Sequence, residues 1–152
     1  MTDLDLLMNE FVLLKSLIEN GNSQAVVNNI NNTFNGTCSS VMYSFTCALD
    51  QSASTGNLQL VDALLDSAPS WGLTDNLIGL QACSALEAAS SICCFDIVSR
   101  LSKQAHEITT RTSIPFFYGR AIDTAVASGL PNSEEVVSFL KLELTELLNV
   151  QP

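Results

Sequence analysis

The sequence predicts an all-α fold: a short right-handed α-solenoid of about four helix-turn-helix repeats, with about eight helices. Apolar residues recur three and four positions apart along most of the chain, which is the spacing of the buried stripe of an amphipathic helix. A helix-like segment also recurs, starting at residues 12, 47, 84 and 120, so the spacings are 35, 37 and 36 residues. No segment alternates apolar and polar residues cleanly over six positions, so strands are poorly supported.

Each repeat has two predicted helices with their own apolar positions. In chain order, the helices are predicted at about 3–19, 23–31, 41–54, 57–67, 76–91, 94–104, 115–127 and 133–149. The first helix has a stripe of Leu4, Leu7, Phe11, Leu14 and Ile18. The second helices of the four repeats carry, in order, Ala25 and Val26; Leu58, Leu60, Val61, Leu64 and Leu65; Phe95, Ile97, Val98 and Leu101; and Val136, Val137, Phe139 and Leu140.

A turn residue separates the two helices of every repeat. Glycine readily adopts the positive φ that ends a helix, and the third repeat has cysteine at the equivalent place. The predicted turn residues are Gly21, Gly56, Cys93 and Gly129. Asn22 and Asn57 follow two of these turns and are suited to cap the next helix.

Size and composition predict a single domain. The chain has 152 residues, of which 47% are hydrophobic and 14% are charged. A domain of this length buries about 68–70% of the surface that its unfolded chain exposes, which is enough for a core without disulfides or metal ions. We therefore predict one helical-repeat domain over residues 1–152, with repeats at about 3–40, 41–75, 76–114 and 115–152.

The repeat unit resembles the pentatricopeptide repeat, which has about 35 residues and two helices. Residues 118–129 resemble the first helix of that repeat, and residues 56–68 followed by 71–75 resemble its second helix and exit turn. The second copy, at 53–65, also resembles an ankyrin repeat, although the Thr-Pro-Leu-His start is absent. Pentatricopeptide proteins typically bind single-stranded RNA in plastids and mitochondria, so the resemblance implies a helical-hairpin shape and an organellar origin.

Charge argues against RNA as the partner. The formal net charge is -10, and residues 1–99 hold ten acids but only one base, Lys15. An RNA or membrane phosphate would be repelled there. Four bases cluster late in the chain: Arg100, Lys103, Arg111 and Arg120. We keep an organellar single-stranded RNA-binding module as the alternative function on their account.

Catalytic signals are weak. The one histidine, His106, stands at the predicted end of a helix, where a polar or positive side chain is favourable. Five cysteines form an odd set without close two-residue spacing, so we predict reduced buried thiols, and no metal, cofactor or enzyme site. A thiol enzyme that uses Cys93 or Cys94 with His106 is a third and weakest alternative.

Targeting signals are also absent from the start of the sequence. We expect an intracellular, soluble protein of the cytoplasm, or of a plastid or mitochondrion if a leader has been removed. Residues 76–95 have the length of a membrane span, but Glu87 and several polar residues argue against one. Peripheral association with a membrane complex is compatible with this prediction.

These observations favour binding over catalysis. We predict a non-catalytic protein-binding scaffold, adaptor or accessory linker subunit of a larger assembly, with an organellar photosynthetic complex as one setting. Aromatic and apolar side chains at loops and at the last helix are the predicted partner contacts, because such surfaces of helical-repeat proteins bind partners. These residues are Trp71, Leu142, Leu144 and Leu148.

Overall fold

The structure is a computed structural model that describes residues 13–20, 22–33 and 38–149. Within these ranges every regular element is helical and none is a strand, which confirms the all-α prediction. The helices of the described ranges are α1 (13–19), α2 (Ser23–Thr33), α3 (Cys38–Thr55), α4 (Leu58–Ser67), α5 (Asp75–Ser91), α6 (Phe95–Ala105), α7 (Ile114–Ser128) and α8 (Ser133–Asn149). A short 3-10 helix, Ala68–Trp71, follows α4.

Helix contacts fall into two series. Helix α5 packs against α3 on one side and α7 on the other. The second series runs from α2 to α4, from α4 to α6 and from α6 to α8. Consecutive helices α3 and α4, α5 and α6, and α7 and α8 pack as pairs that link the two series. The odd-numbered helices from α3 to α7 therefore lie side by side, and so do the even-numbered helices.

The predicted turns have left-handed backbone conformations. Gly56 has φ +79°, Gly129 has φ +65°, and Cys93 has φ +49°. In the described part of the chain, Cys93 is the one residue other than glycine with a positive φ. Its thiol contacts the Ser90 carbonyl oxygen at 3.3 Å and the Ser128 hydroxyl at 3.2 Å. These contacts hold a conformation that costs an ordinary residue about 1–2 kcal/mol. The fourth predicted turn, Gly21, lies outside the described residues.

Asparagine and threonine begin several helices. The Asn22 side chain accepts a hydrogen bond from the Ala25 amide at 3.1 Å, and Asn57 accepts one from the Leu60 amide at 3.1 Å. Thr74 does the same at the start of α5. Each cap satisfies an amide that has no partner within its helix.

Trp71 belongs to the core. Its side chain is 1% exposed and meets Phe45 edge to face, with 6.2 Å between ring centroids. Its indole N–H donates a hydrogen bond to the Asn31 side chain. Trp71 therefore joins the 3-10 helix to α2 and α3. This corrects the prediction of a partner contact, because a buried indole with a satisfied N–H presents nothing to a partner.

Glycine permits close packing of α5 on α6. A Cβ atom at Gly79 would lie 2.7 Å from Ile108 Cγ1 and 3.0 Å from the Gln104 carbonyl oxygen. Gly119, within α7, has no atom within 4 Å of the equivalent position. Packing therefore requires glycine at position 79 but not at position 119.

The sequence argued against a membrane span at residues 76–95, most of which belong to α5. Of the helices in the described ranges, none combines the length and the apolar content needed to cross a bilayer.

Candidate functional site

An open groove crosses α3, α5 and α7. Its volume is about 570 Å³. The groove is lined by Cys47, Asp50, Gln51, Ser54, Ser84, Glu87, Ala88, Ser91 and Thr124. We call it the acidic groove, because its charged lining residues are the two carboxylates Asp50 and Glu87. Serine, alanine and threonine make up much of the remaining surface, and their small side chains leave space between the helices.

The helical repeat places these residues on one side. Those from α3 are residues 47, 50, 51 and 54, and those from α5 are 84, 87, 88 and 91, so both sets follow the three-and-four spacing of one helix face. The two sets are 37 residues apart position by position, which is the spacing of the sequence repeat. The next residues along each helix are buried: Ala48, Leu49, Ser52 and Ala53 in α3, and Ala85, Leu86, Ala89 and Ser90 in α5. One face of each helix therefore builds the core while the adjoining face builds the groove.

The two carboxylates of the groove differ in their partners. Glu87 Oε2 lies 2.9 Å from Arg120 Nη2, and the Arg120 guanidinium also lies 5.6 Å from the centre of the Phe116 ring. Asp50 is half-buried, and within the described ranges its carboxylate has no hydrogen bond or ion pair. Burial raises the pKa of the Asp50 carboxyl, and the negative charge of Glu87 adds to that rise. The groove thus holds a carboxylate whose charge the described residues leave uncompensated.

Cys47 lies beside Asp50 in the groove. Partial burial raises the pKa of its thiol, a hydrogen bond with Tyr43 opposes this rise, and the negative charge of Asp50 adds to it. The thiol is therefore protonated at neutral pH, whereas nucleophilic catalysis and metal binding use the thiolate. The groove offers carboxylate and hydroxyl acceptors, which suit binding of a cationic or hydrogen-bonding group.

A smaller hollow continues the groove towards α1. It has a volume of about 160 Å³ and is lined by Leu14, Lys15, Ile18, Cys47 and Gln51. Cys47 and Gln51 belong to both spaces. A partner segment in the groove would therefore reach an end with aliphatic walls and one cation.

The predicted contacts of the last helix lie elsewhere. Leu142 is 61% exposed and Leu148 is 48% exposed. Leu144 is half-buried and packs against the core. The acidic groove contains no residue of α8, so the structure does not bring these leucines to the groove.

The late bases do not form one basic surface: Arg100 and Lys103 line one pocket together with acidic residues, and Arg111 and Arg120 make contacts elsewhere. Arg100 pairs with Asp62 at 2.9 Å and Asp66 at 3.3 Å. Arg111 donates a hydrogen bond to the Leu147 carbonyl oxygen, and Lys103 is exposed beside acidic residues. Together with the Arg120 pair described above, these contacts leave no shared basic surface among the four bases.

The structure also brings together three side chains that sequence reasoning did not combine. His106, at the end of α6, lies beside Glu143 and Glu146 of α8, and their ligand atoms are all within 4.8 Å of one another. In the described ranges this is the set of histidine, cysteine and acidic side chains that could hold a metal ion. The available signal was the spacing of Glu143 and Glu146, which places two carboxylates on one helix face.

Searches with family models, against curated proteins and against solved structures found no match for this chain.

Proposed function

We propose that the protein is a non-catalytic scaffold, adaptor or accessory subunit of a larger assembly, and that its acidic groove binds a basic segment of a protein partner. The observation that carries this proposal is the half-buried Asp50 carboxylate, which has no cationic partner within the described ranges. A lysine or arginine from a partner would compensate its charge. Hydrogen bonds to a charged group contribute about 1.5–3 kcal/mol, so one such contact would be a substantial part of the affinity.

Charge on the wider surface supports the same partner. Residues 1–99 carry a net charge of -9, and both groove carboxylates belong to this part of the chain. A long-range field of one sign speeds the encounter with a partner of opposite sign and disfavours acidic partners. A basic protein segment is therefore favoured over a nucleic acid or an anionic lipid.

The proposal includes the right-handed α-solenoid arrangement. Its support is the two series of side-by-side helices and the groove residues that recur 37 residues apart. In stacked helical repeats, equivalent positions of successive repeats form an extended binding surface. The pentatricopeptide resemblance supports only this proposed shape, and an organellar setting stays a prediction.

The RNA alternative has less support. RNA binding needs several cations along one surface to neutralise successive phosphates. Here Arg100 and Arg120 pair with carboxylates, and Arg111 binds a helix carbonyl. No specific contact favours RNA, so we do not carry this function forward.

A Cys–His enzyme has less support still. Cys93 and Cys94 precede α6, whereas His106 follows it. The eleven residues of α6 separate them by about 16 Å along the helix axis. A nucleophile and its base must lie within about 2.6–3.2 Å of each other, or be joined by one water.

Selection from a displayed library of random peptides tests the proposed function. We expect peptides enriched by the protein to contain an excess of lysine and arginine. Asp50→Asn should weaken binding of an enriched peptide by about 10–100-fold, because it removes one charge-assisted contact. Glu135→Gln removes the same charge from the exposed start of α8 and serves as the matched control, with affinity unchanged within about twofold.

Two outcomes would contradict the proposal. Enrichment of neutral or acidic peptides, or of none, would remove the basic partner. Equal losses for Asp50→Asn and Glu135→Gln would show that overall charge, and not the groove, governs binding.

A further inference from the structure

The cluster of His106, Glu143 and Glu146 lies apart from the acidic groove and has the composition of a metal site. His106 Nε2 lies 3.5 Å from Glu143 Oε2. The ligand atoms of all three side chains lie within 4.8 Å of one another. Ligands of one tetrahedral zinc ion at about 2.0–2.1 Å are separated by about 3.4 Å. Small side-chain rotations would bring the three atoms onto one ion.

Buried hydroxyl groups hold Glu143 in position. Ser102 donates a hydrogen bond to Glu143 Oε1 at 3.1 Å, and Ser102 and Tyr118 are hydrogen-bonded to each other. Because the Ser102 hydroxyl has one proton, Tyr118 must be the donor in that second bond. Both residues are fully buried, and the Glu143 side chain is only 15% exposed. The relay fixes Oε1 and leaves Oε2 facing His106, which is how supporting hydrogen bonds orient metal-binding carboxylates.

Charge in the cluster favours a dication. Glu143 and Glu146 lie on one face of α8, so their negative charges are close together. Within the described ranges neither carboxylate has a lysine or arginine within 4.0 Å. A divalent ion would compensate both carboxylates at once, and the imidazole would complete the ligand set.

We propose that His106, Glu143 and Glu146 bind one Zn²⁺ ion. Imidazole selects zinc over Mg²⁺ and Ca²⁺, which prefer oxygen ligands, and carboxylates are ordinary zinc ligands. Three protein ligands leave one coordination position for water or an outside donor. The ion would join the end of α6 to α8 and so hold the last helix against α6.

Calorimetric titration of the chelator-treated protein with zinc chloride tests this site. We expect one Zn²⁺ per chain and no comparable binding of Mg²⁺ or Ca²⁺. Zinc at about 100 times its dissociation constant should raise the melting temperature by about 5–10 °C. Cobalt in place of zinc should give visible absorption without a thiolate-to-metal band, because the ligands are nitrogen and oxygen.

Variants locate the ion. Ser102→Ala should weaken zinc binding by about 10–100-fold, and Glu146→Gln and His106→Asn should weaken it further. Glu146 is exposed, so Glu146→Gln keeps the fold, which circular dichroism will verify. Glu135→Gln, on the same helix but outside the cluster, should leave the affinity unchanged. Absence of zinc binding, a cobalt–thiolate band, or full affinity in Glu146→Gln and His106→Asn would each overturn the proposal.

Discussion

Asp50 and Glu87 occupy equivalent positions of α3 and α5 and line the same groove, but in the described part of the chain only Glu87 has a cationic partner, Arg120. The charge of Glu87 adds to the effect of burial on Asp50, so the two acids are coupled. An ionisable group whose charged form the free protein stabilises poorly often belongs to a functional site.

Asp50→Asn should stabilise the free protein at neutral pH by about 0.5 kcal/mol, which is about 1–2 °C in melting temperature, because solvent screens much of the charge of this half-buried side chain. The raised pKa of Asp50 means that the folded state binds its proton more tightly than the unfolded state does. Stability therefore falls as the pH rises through the folded pKa, and the cost is absent below the ordinary value of 3.8. Thermal unfolding between pH 4 and neutrality should show the gain shrinking as the pH falls, and a gain independent of pH would contradict this explanation.

Arg120→Gln should strengthen binding of a basic peptide by about two- to fivefold. The substitution frees Glu87 from an exposed ion pair of about 0.2–1 kcal/mol, so that both groove carboxylates can contact the peptide. Fluorescence anisotropy at low and moderate salt measures the effect, which salt should reduce. Weaker binding in Arg120→Gln would indicate that Arg120 itself contacts the partner.

Gly129→Ala and Gly119→Ala form a matched pair in α7 and its turn. Both positions have open space, but Gly129 has φ +65° and Gly119 is helical. Gly129→Ala should cost about 1–2 kcal/mol through backbone strain, whereas Gly119→Ala should gain about 0.5–1 kcal/mol. Urea unfolding measures both, and two changes of the same sign would refute the turn conformation.

Cys83 should be the least reactive thiol among those that the structure describes. Burial raises its pKa to about 12 from an ordinary 9.0, and its side chain is inaccessible, whereas Cys94 is half-buried. Iodoacetamide labelling followed by mass spectrometry should modify Cys94 well before Cys83.

The buried Cys83 thiol should also lower stability at alkaline pH. Between pH 9 and about 12 the unfolded state has lost the Cys83 proton while the folded state still holds it, so the free energy of unfolding should fall as the pH rises. Cys83→Ala should remove that part of the alkaline slope.

Within the described residues, local signals in the sequence were sufficient for the α-helices from α2 to α8 and for three of the four predicted turns. The bounds of α8 were predicted at 133–149 and are Ser133–Asn149. Cys93 has the left-handed conformation of the glycines to which it was aligned. Apolar periodicity and turn residues act within one helix and its ends, so they can be read without knowing what packs where.

Contacts between helices were harder to predict. Trp71 was expected to contact a partner because it is an aromatic side chain in a predicted loop, but Phe45 and Asn31 enclose it from other helices. The acidic groove was present in the repeat alignment as residues 50 and 87, yet their convergence depends on α3 lying beside α5. The contact between His106, at the end of α6, and Glu143, on α8, could not be predicted for the same reason. Periodicity tells which face of a helix is buried, not which helix covers it.

Amide NMR spectra, recorded during titration with the most enriched basic peptide, test the central claim most directly. The account predicts shift changes concentrated at the groove positions of α3 and α5, around Asp50, Ser54, Ser84 and Glu87, and their loss in Asp50→Asn. Changes spread over acidic residues throughout the chain, or concentrated around Leu142 and Leu148 on α8, would contradict it.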